Sequence, residues 1–208
     1  MATTAATAPR PLALTMGEPA GVGGELTLRA WTSARSRTGP FFTIDDPDRL
    51  RALASHLGID IPIEEISDPA EAAALFDRAL PVLAERLPAP VTPGTPDPAN
   101  AGAVVNAIER AVHLSLDGAA AGLVTNPIQK SVLYAASFKH PGHTEYIAEL
   151  CGGDEPVMML ACEALRAVPV TVHISLRDAV AGLTTQAIVA KGRITAAALK
   201  RDFGINSP

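Results

Sequence analysis

A lysine, a histidine and a threonine lie close together near the middle of the chain, in the stretch LVTNPIQKSVLYAASFKHPGHTE. Lys130 stands in a segment with a helical pattern, and His143 and Thr144 follow a Pro-Gly turn. The apolar run at residues 121–124 just before them is typical of a buried strand. In an open α/β sheet, ligands bind past the carboxyl ends of strands. The stretch therefore predicts a site for a phosphorylated or metal-bound substrate.

Residue type alone leaves alternatives open for these side chains. Lys130 could bind phosphate as a point charge or only face solvent. His143 and His173 are the metal candidates, but a catalytic zinc needs three protein ligands and an open position. The spacing supplies two histidines, and a lone histidine at a strand end is more often structural.

A glycine-rich segment, Gly17 to Glu25, follows an apolar run at residues 11–15 and precedes a helical pattern. This layout can bring an anion close to backbone N–H groups at a helix N-terminus. The spacing is not G-x-G-x-x-G, and no Lys-Ser/Thr pair follows as in a P-loop. A tight turn that needs positive φ explains the glycines equally well.

Apolar runs and helical patterns alternate along the chain, which predicts an α/β fold. We expect strands at residues 11–15, 41–44, 61–66, 82–83 and 121–124, and helices at 25–34, 47–57, 69–78, 101–116, 144–150 and 185–203. The Pro/Gly-rich residues 88–100 predict a loop. Two β-rich runs, at 157–161 and 167–174, are predicted to pair as a hairpin.

Composition excludes several classes of protein. Of 208 residues, 48% are hydrophobic, so the chain can bury a core, and the net charge of −5 without basic runs argues against nucleic acid or an anionic membrane as a partner. No apolar run approaches the ~20 residues of a membrane span. Cys151 and Cys162 have no CxxC spacing, which indicates reduced thiols in a cytoplasmic protein. The N-terminal residues read as a loose tail.

The motifs together resemble those of the 4-hydroxythreonine-4-phosphate dehydrogenase family of vitamin B6 biosynthesis. The matching segments, in the family's order, are GEPAGVGGE, LVTNPIQK, PGHTE, VMMLA and HISLRD. They extend over nearly the whole chain. No single segment is specific, but the combination is.

The resemblance implies a three-layer α/β/α fold with a mixed sheet, similar to isocitrate and isopropylmalate dehydrogenases. It implies a homodimer, a phosphorylated substrate, NAD or NADP, and a divalent metal (Zn, Mg or Co) held by three histidines. His173 corresponds to the first metal ligand. His143 and Thr144 correspond to substrate-binding residues, which replaces the metal interpretation of His143, and Lys130 is expected to bind substrate too. No catalytic or cofactor-binding residue is assigned.

The chain departs from the family pattern at several positions. Glu18 and Gly24 stand where the family usually has Asp and Pro, and Asn126 and Gln129 alter the usual TAPINK pattern. The family also continues beyond this end of the chain, where it carries its other metal histidines. The resemblance thus implies a first domain over residues 1–125 and part of a second over 126–208, cut short at the C-terminus.

The hypothesis from sequence is a metal-dependent NAD(P) oxidoreductase that oxidises 4-phosphohydroxy-L-threonine, with loss of carbon dioxide to give 3-amino-2-oxopropyl phosphate. One alternative is a paralogue that acts on a threonate- or erythronate-type phosphate. The other is an inert phosphate- or metal-binding α/β fragment.

Overall fold

The computed structural model of the protein describes residues 10–153 and 155–208, which form two compact units on either side of residue 154. The loose tail predicted ahead of the first strand falls largely on residues 1–9, which lie outside the described residues.

The first unit contains a five-stranded parallel sheet in the order β3-β4-β2-β1-β5. Its strands are β1 (Leu12–Thr15), β2 (Phe41–Asp45), β3 (Ile63–Ile66), β4 (Leu80–Ala84) and β5 (Leu123–Val124). Its helices are α1 (Gly23–Thr38), α2 (Pro47–Leu57), α3 (Ala72–Leu75), α4 (Ala101–Leu116), α5 (Lys130–Ala135) and α6 (His143–Leu150). The α/β class predicted from the alternation is confirmed.

The two faces of this sheet carry separate hydrophobic clusters, because neighbouring residues of a strand point to opposite faces. Phe41 packs with Leu28 and Trp31 of α1, whereas Phe42 packs with the apolar side chains of α4. All five residues of β2 are buried. The result is a three-layer arrangement with helices on both sides of the sheet.

Three elements of the first unit differ from the sequence prediction. The buried strand expected at 121–124 is the two-residue strand β5, whose Val124 is exposed because β5 lies at the edge of the sheet and, among the strands that the structure describes, pairs only with β1. The helix expected at 69–78 is a short 3₁₀ turn followed by the four residues of α3. It ends early because the Trp31 indole N–H donates to the Phe76 carbonyl at 2.9 Å, and the chain then turns into β4. Strand β4 is longer than the expected 82–83. Strand β4 contains Pro81, which has no backbone N–H. The pairing between β4 and β2 starts one residue later, at Val82 opposite Thr43, so Pro81 does not interrupt the hydrogen bonds between these two strands.

The second unit contains a two-stranded antiparallel sheet, β6 (Leu160–Ala161) and β7 (Arg166–Ala167), followed by α7 (Leu176–Gly182) and α8 (Thr185–Phe203). The predicted hairpin is confirmed, but its strands are much shorter than the runs 157–161 and 167–174. Pro169 lacks a backbone N–H and cannot extend the ladder.

The sequence patterns did not predict helix α7. Its start is marked by Ser175, whose hydroxyl accepts a hydrogen bond from the backbone N–H of Asp178 at 3.2 Å. Helix α8 begins after the Thr184 cap and ends at Gly204, as expected. Within the described parts of the chain, no helix is both long and apolar enough to cross a bilayer.

Candidate functional site

Strands β1 and β5 are parallel neighbours in the sheet, so the segments that follow them meet at the carboxyl end of the two strands. The glycine-rich turn follows β1, and residues 125–130 follow β5. Gly17 adopts φ +67°, and a Cβ on it would lie 2.6 Å from the Pro127 carbonyl oxygen and 2.7 Å from Asn126 Cβ. The Glu18 backbone N–H donates to that same carbonyl at 2.8 Å. Glycine is required here by both the backbone conformation and the close approach.

Asn126 fastens the two segments together. Its side-chain amide donates to the Thr15 carbonyl and to the Thr27 hydroxyl, both at 3.0 Å. The Thr27 hydroxyl in turn donates to the Gly23 carbonyl at 3.0 Å. One buried side chain therefore links the end of β1, the end of the glycine turn and the segment that leads to Lys130. Sequence analysis identified Asn126 only as a departure from the family pattern and missed this role.

Glu18 closes the glycine turn on itself. The side chain is buried, and its carboxylate accepts a hydrogen bond from the Ala20 backbone N–H at 3.0 Å. The Gly21 backbone N–H donates to the Glu18 carbonyl at 3.0 Å. A longer acid thus fits at the position where the family usually has Asp.

Lys130 and His143 come together at the start of α6. Two charged groups lie close to Gly142. A Cβ built on Gly142 would be 3.5 Å from the Lys130 ammonium nitrogen and 3.7 Å from a Glu145 carboxylate oxygen. Gly142 is the N-cap of α6 and offers no side chain to cap the first backbone N–H groups. Thr144 is exposed in the same turn.

The surroundings of the His143 imidazole favour its neutral form. Burial and then the nearby charge of Lys130 lower the pKa of His143 below its ordinary value. Its Nε2 atom is buried and makes no hydrogen bond with the described residues. An ammonium, an unpartnered ring nitrogen and uncapped N–H groups at a helix start form a place where a phosphate or hydroxyl oxygen can be bound.

A group of aromatic side chains fixes α6 to the rest of the unit. The Tyr146 ring packs edge-to-face against Phe138, with ring centroids 5.0 Å apart, and lies tilted against His140, with ring centroids 4.8 Å apart. The Tyr146 hydroxyl donates to the Glu109 carboxylate of α4. Burial, followed by this hydrogen bond, raises the pKa of Tyr146. Sequence analysis missed this pair because the partners are far apart in the chain.

His173 belongs to the second unit, where it is exposed and adopts φ +59°. Among the residues that the structure describes, no group of three His, Cys, Asp or Glu side chains is placed to hold a metal ion. Those residues therefore do not by themselves form a metal centre, and His173 alone supplies one imidazole. Cys151 and Cys162 are both exposed free thiols.

Comparisons with known proteins fit this arrangement. A family model described as "Pyridoxal phosphate biosynthetic protein PdxA" matches residues 38–208. A 4-hydroxythreonine-4-phosphate dehydrogenase of Methylorubrum populi is 47% identical over 207 residues, covering 96% of this chain and 59% of the relative. A relative of the same name from Bradyrhizobium diazoefficiens is 45% identical over 214 residues, covering 97% of this chain and 62% of its own length.

A crystal structure of 4-hydroxythreonine-4-phosphate dehydrogenase from Klebsiella pneumoniae superposes with a TM-score of 0.85 at 28% identity, covering 96% of this chain and 61% of that one. The chain therefore spans about three fifths of the length of these curated relatives. Because the family model matches most of the chain and the same motifs carry the site, the chain belongs to the PdxA family of pyridoxal phosphate biosynthetic proteins.

Proposed function

We propose that the full-length protein is a 4-hydroxythreonine-4-phosphate dehydrogenase of pyridoxal phosphate biosynthesis, as its relatives are named. The observation that carries this proposal is the approach of Lys130 to the start of α6, where His143 and Thr144 lie. The family resemblance assigns substrate binding to this group. The family membership supports the reaction, because relatives at about 45% identity carry this name.

The reaction that this function requires has two parts. The substrate carbon that bears the hydroxyl loses a hydride to the nicotinamide of NAD or NADP, and the hydroxyl loses its proton to a base. The resulting β-keto acid then loses carbon dioxide as a carbon–carbon bond breaks, and the enolate is protonated to give 3-amino-2-oxopropyl phosphate. The second part needs no further oxidant.

The residues of this chain would bind and orient the substrate. A neutral His143 can donate or accept one hydrogen bond, and Thr144 offers a hydroxyl. Lys130 supplies a positive charge that attracts the phosphate without fixing its orientation. The glycine-rich turn would border the site through its contact with Asn126 and Pro127.

A divalent metal remains a proposal that His173 supports with one imidazole. Within the described part of this chain, His173 is not joined by two further His, Cys, Asp or Glu side chains. When bound, such an ion would supply Lewis-acid stabilisation of negative charge on oxygen. Homodimer formation, a cytoplasmic location and the choice between NAD and NADP are proposals as well.

The test is the formation of NADH or NADPH by the full-length protein with 4-phosphohydroxy-L-threonine, with and without a divalent ion. Turnover that needs the ion and falls to background in His173→Ala supports the assignment. Unchanged turnover in His173→Ala contradicts the metal role. Threonate and erythronate phosphates in the same assay identify a paralogue by their higher kcat/KM, and an inert binding module would reduce neither cofactor with any substrate.

A further inference from the structure

A cavity of about 670 Å³ opens in the first unit beside the carboxyl end of β2. That volume is in the range of small-molecule sites. None of its lining residues belongs to the group around Lys130 and His143. We propose that this cavity is a second ligand site, which binds a flat, largely apolar small molecule with a neutral carbonyl oxygen directed at Arg49.

One wall of the cavity is a single face of α2. Arg49, Ala52, Leu53 and His56 line it, at the i, i+3, i+4 and i+7 spacing that places side chains on one face of a helix. The helix therefore offers a guanidinium at one end, an apolar centre and an imidazole about 10 Å further along.

The opposite wall is rigid and apolar. It consists of the segment 87–93, in which three prolines face the cavity: Pro88, Pro90 and Pro93. The Leu87 backbone N–H donates to the Asp46 carboxylate at 3.0 Å, and the Gly94 N–H donates to the Ala20 carbonyl at 2.8 Å. These bonds fasten both ends of the wall, so the cavity is formed before any ligand arrives. Flat rings pack well against such proline surfaces, because both are stiff and lose little conformational entropy.

Arg49 points to the chemistry of the ligand. Its side chain is only 7% exposed and lies against Asp45, which is fully buried. The guanidinium has five N–H donors. Three of them make hydrogen bonds, two with the Asp45 carboxylate and one with the Pro19 carbonyl. The other two have no partner among the described residues, and a buried unsatisfied donor is costly. An accepting oxygen on a ligand would satisfy them.

Carboxylates outnumber guanidiniums around the cavity. Arg49 is neutralised by Asp45, while Arg86 contacts Asp46, at 3.5 Å, Asp48, at 2.8 Å, and Glu65, at 2.7 Å. A phosphate dianion or a carboxylate would find no surplus of positive charge here. A neutral carbonyl oxygen is therefore the better match to the free N–H groups of Arg49.

The small size of Gly24 leaves room for the side chains that form the α2 wall of the cavity. A Cβ at Gly24 would lie 2.7 Å from Leu53 Cδ2 and 2.9 Å from Arg49 Nη1. Any larger residue would displace the two side chains that form the polar end and the middle of the cavity wall. The departure from the family's usual Pro at this position thus coincides with the placement of Arg49.

The test uses 2-naphthamide, a flat aromatic amide with a neutral carbonyl group, titrated into the full-length protein by isothermal calorimetry. We expect one site per chain. Ala52→Trp fills the cavity from an exposed position and should weaken binding at least about tenfold. Ser55→Trp, which is exposed on the same helix but does not line the cavity, should change affinity less than about twofold. His56→Trp is the second filling variant if Ala52→Trp lowers the melting temperature.

A second comparison isolates the accepting oxygen. 2-Naphthylamine has the same rings without the carbonyl group, and we expect it to bind at least about tenfold more weakly than 2-naphthamide. Equal affinity of the two compounds would overturn the role of Arg49. Binding of 2-naphthamide that survives both cavity-filling variants, or no binding at all, would overturn the site itself.

Discussion

At His143, two physical effects act in the same direction. Burial disfavours the imidazolium because it removes water from the charge, and the ammonium of Lys130 repels a second positive charge. Both effects favour the neutral imidazole, whose unprotonated ring nitrogen can accept a hydrogen bond. This protonation state is a property of the folded site and cannot be read from the spacing of the two residues.

Replacing Lys130 should raise the pKa of His143, because the variant removes the repelling charge and leaves burial unchanged. The measurement is an NMR titration of the His143 ring in Lys130→Met. Lys139→Met is the matched control, since Lys139 is exposed in the same segment and does not contribute to the His143 shift. An equal effect of the two substitutions would mean that long-range charge alone acts on His143.

The same shift links stability to pH. A His whose folded pKa is below its unfolded value of about 6.5 takes up its proton more readily when unfolded, so the free energy of unfolding falls as the pH drops below that value. We expect the wild-type protein to lose stability relative to His143→Gln between about pH 7.5 and pH 5. Urea unfolding at several pH values measures the difference. Two parallel stability curves would contradict the proposed linkage.

Asn126 should matter more for stability than its size suggests. Asn126→Ala leaves the buried Thr15 carbonyl without its donor, and an unsatisfied buried group costs about 1–3 kcal/mol. Chemical unfolding of the variant gives the loss. Gln129→Ala serves as the control, because Gln129 is exposed and its side-chain amide bonds only Ser131 among the described residues. Equal losses would rule out a special role of the buried amide.

At the scale of the elements, the glycine turn depends on its contact with the segment after β5. Gly17→Ala should be more destabilising than Gly58→Ala, although both residues have φ near +65°. A Cβ at Gly17 meets the Pro127 carbonyl, whereas a Cβ at Gly58 meets nothing within 4 Å. We expect the extra cost to be about 1–3 kcal/mol, as for overpacking of a tight site, measured by thermal unfolding. Similar melting temperatures would show that the turn can move away from Pro127.

The sequence predicts the elements whose signals are local and misses those that depend on distant partners. The start and end of α2 follow from Asp46-Pro47 and Gly58, because capping acts within a few residues. The early end of α3 depends on Trp31, more than forty residues away, and so has no signal in its own segment. The same holds at the site. Residue type and spacing indicate one candidate site with Lys130, His143 and Thr144, but their substrate-binding role comes from the family resemblance and stays a prediction. The Asn126 clamp and the Tyr146–Glu109 contact are long-range and have no local signal.

At the scale of the whole molecule, the second unit exposes much of its apolar surface. Helices α7 and α8 bury none of their residues, and Leu176 and Val180 are 82% and 73% exposed. Such surfaces usually become covered by another chain or domain. This supports the homodimer proposed from the family resemblance. The domain division at residues 125 and 126 stays a prediction.

A dimer held by this surface should come apart when charge is placed on it. In the full-length protein, the double variant Leu176→Asp with Val180→Asp should shift the mass measured by light scattering from dimer to monomer, because desolvating two carboxylates opposes association. Arg177→Asp on the same helix is the control for charge alone. A dimer that persists in the double variant would place the interface elsewhere.

The two edges of the parallel sheet have opposite tolerance for growth. At one edge, β3 presents Glu64 and Glu65, both exposed, and charged side chains of this kind repel an incoming strand. At the other edge, β5 presents Leu123 and a half-exposed Val124 with no charge between them. A further strand can therefore extend the sheet more readily beside β5 than beside β3. Of these two edges, β5 is the one that would be more prone to pair with another copy and aggregate if it were left uncovered.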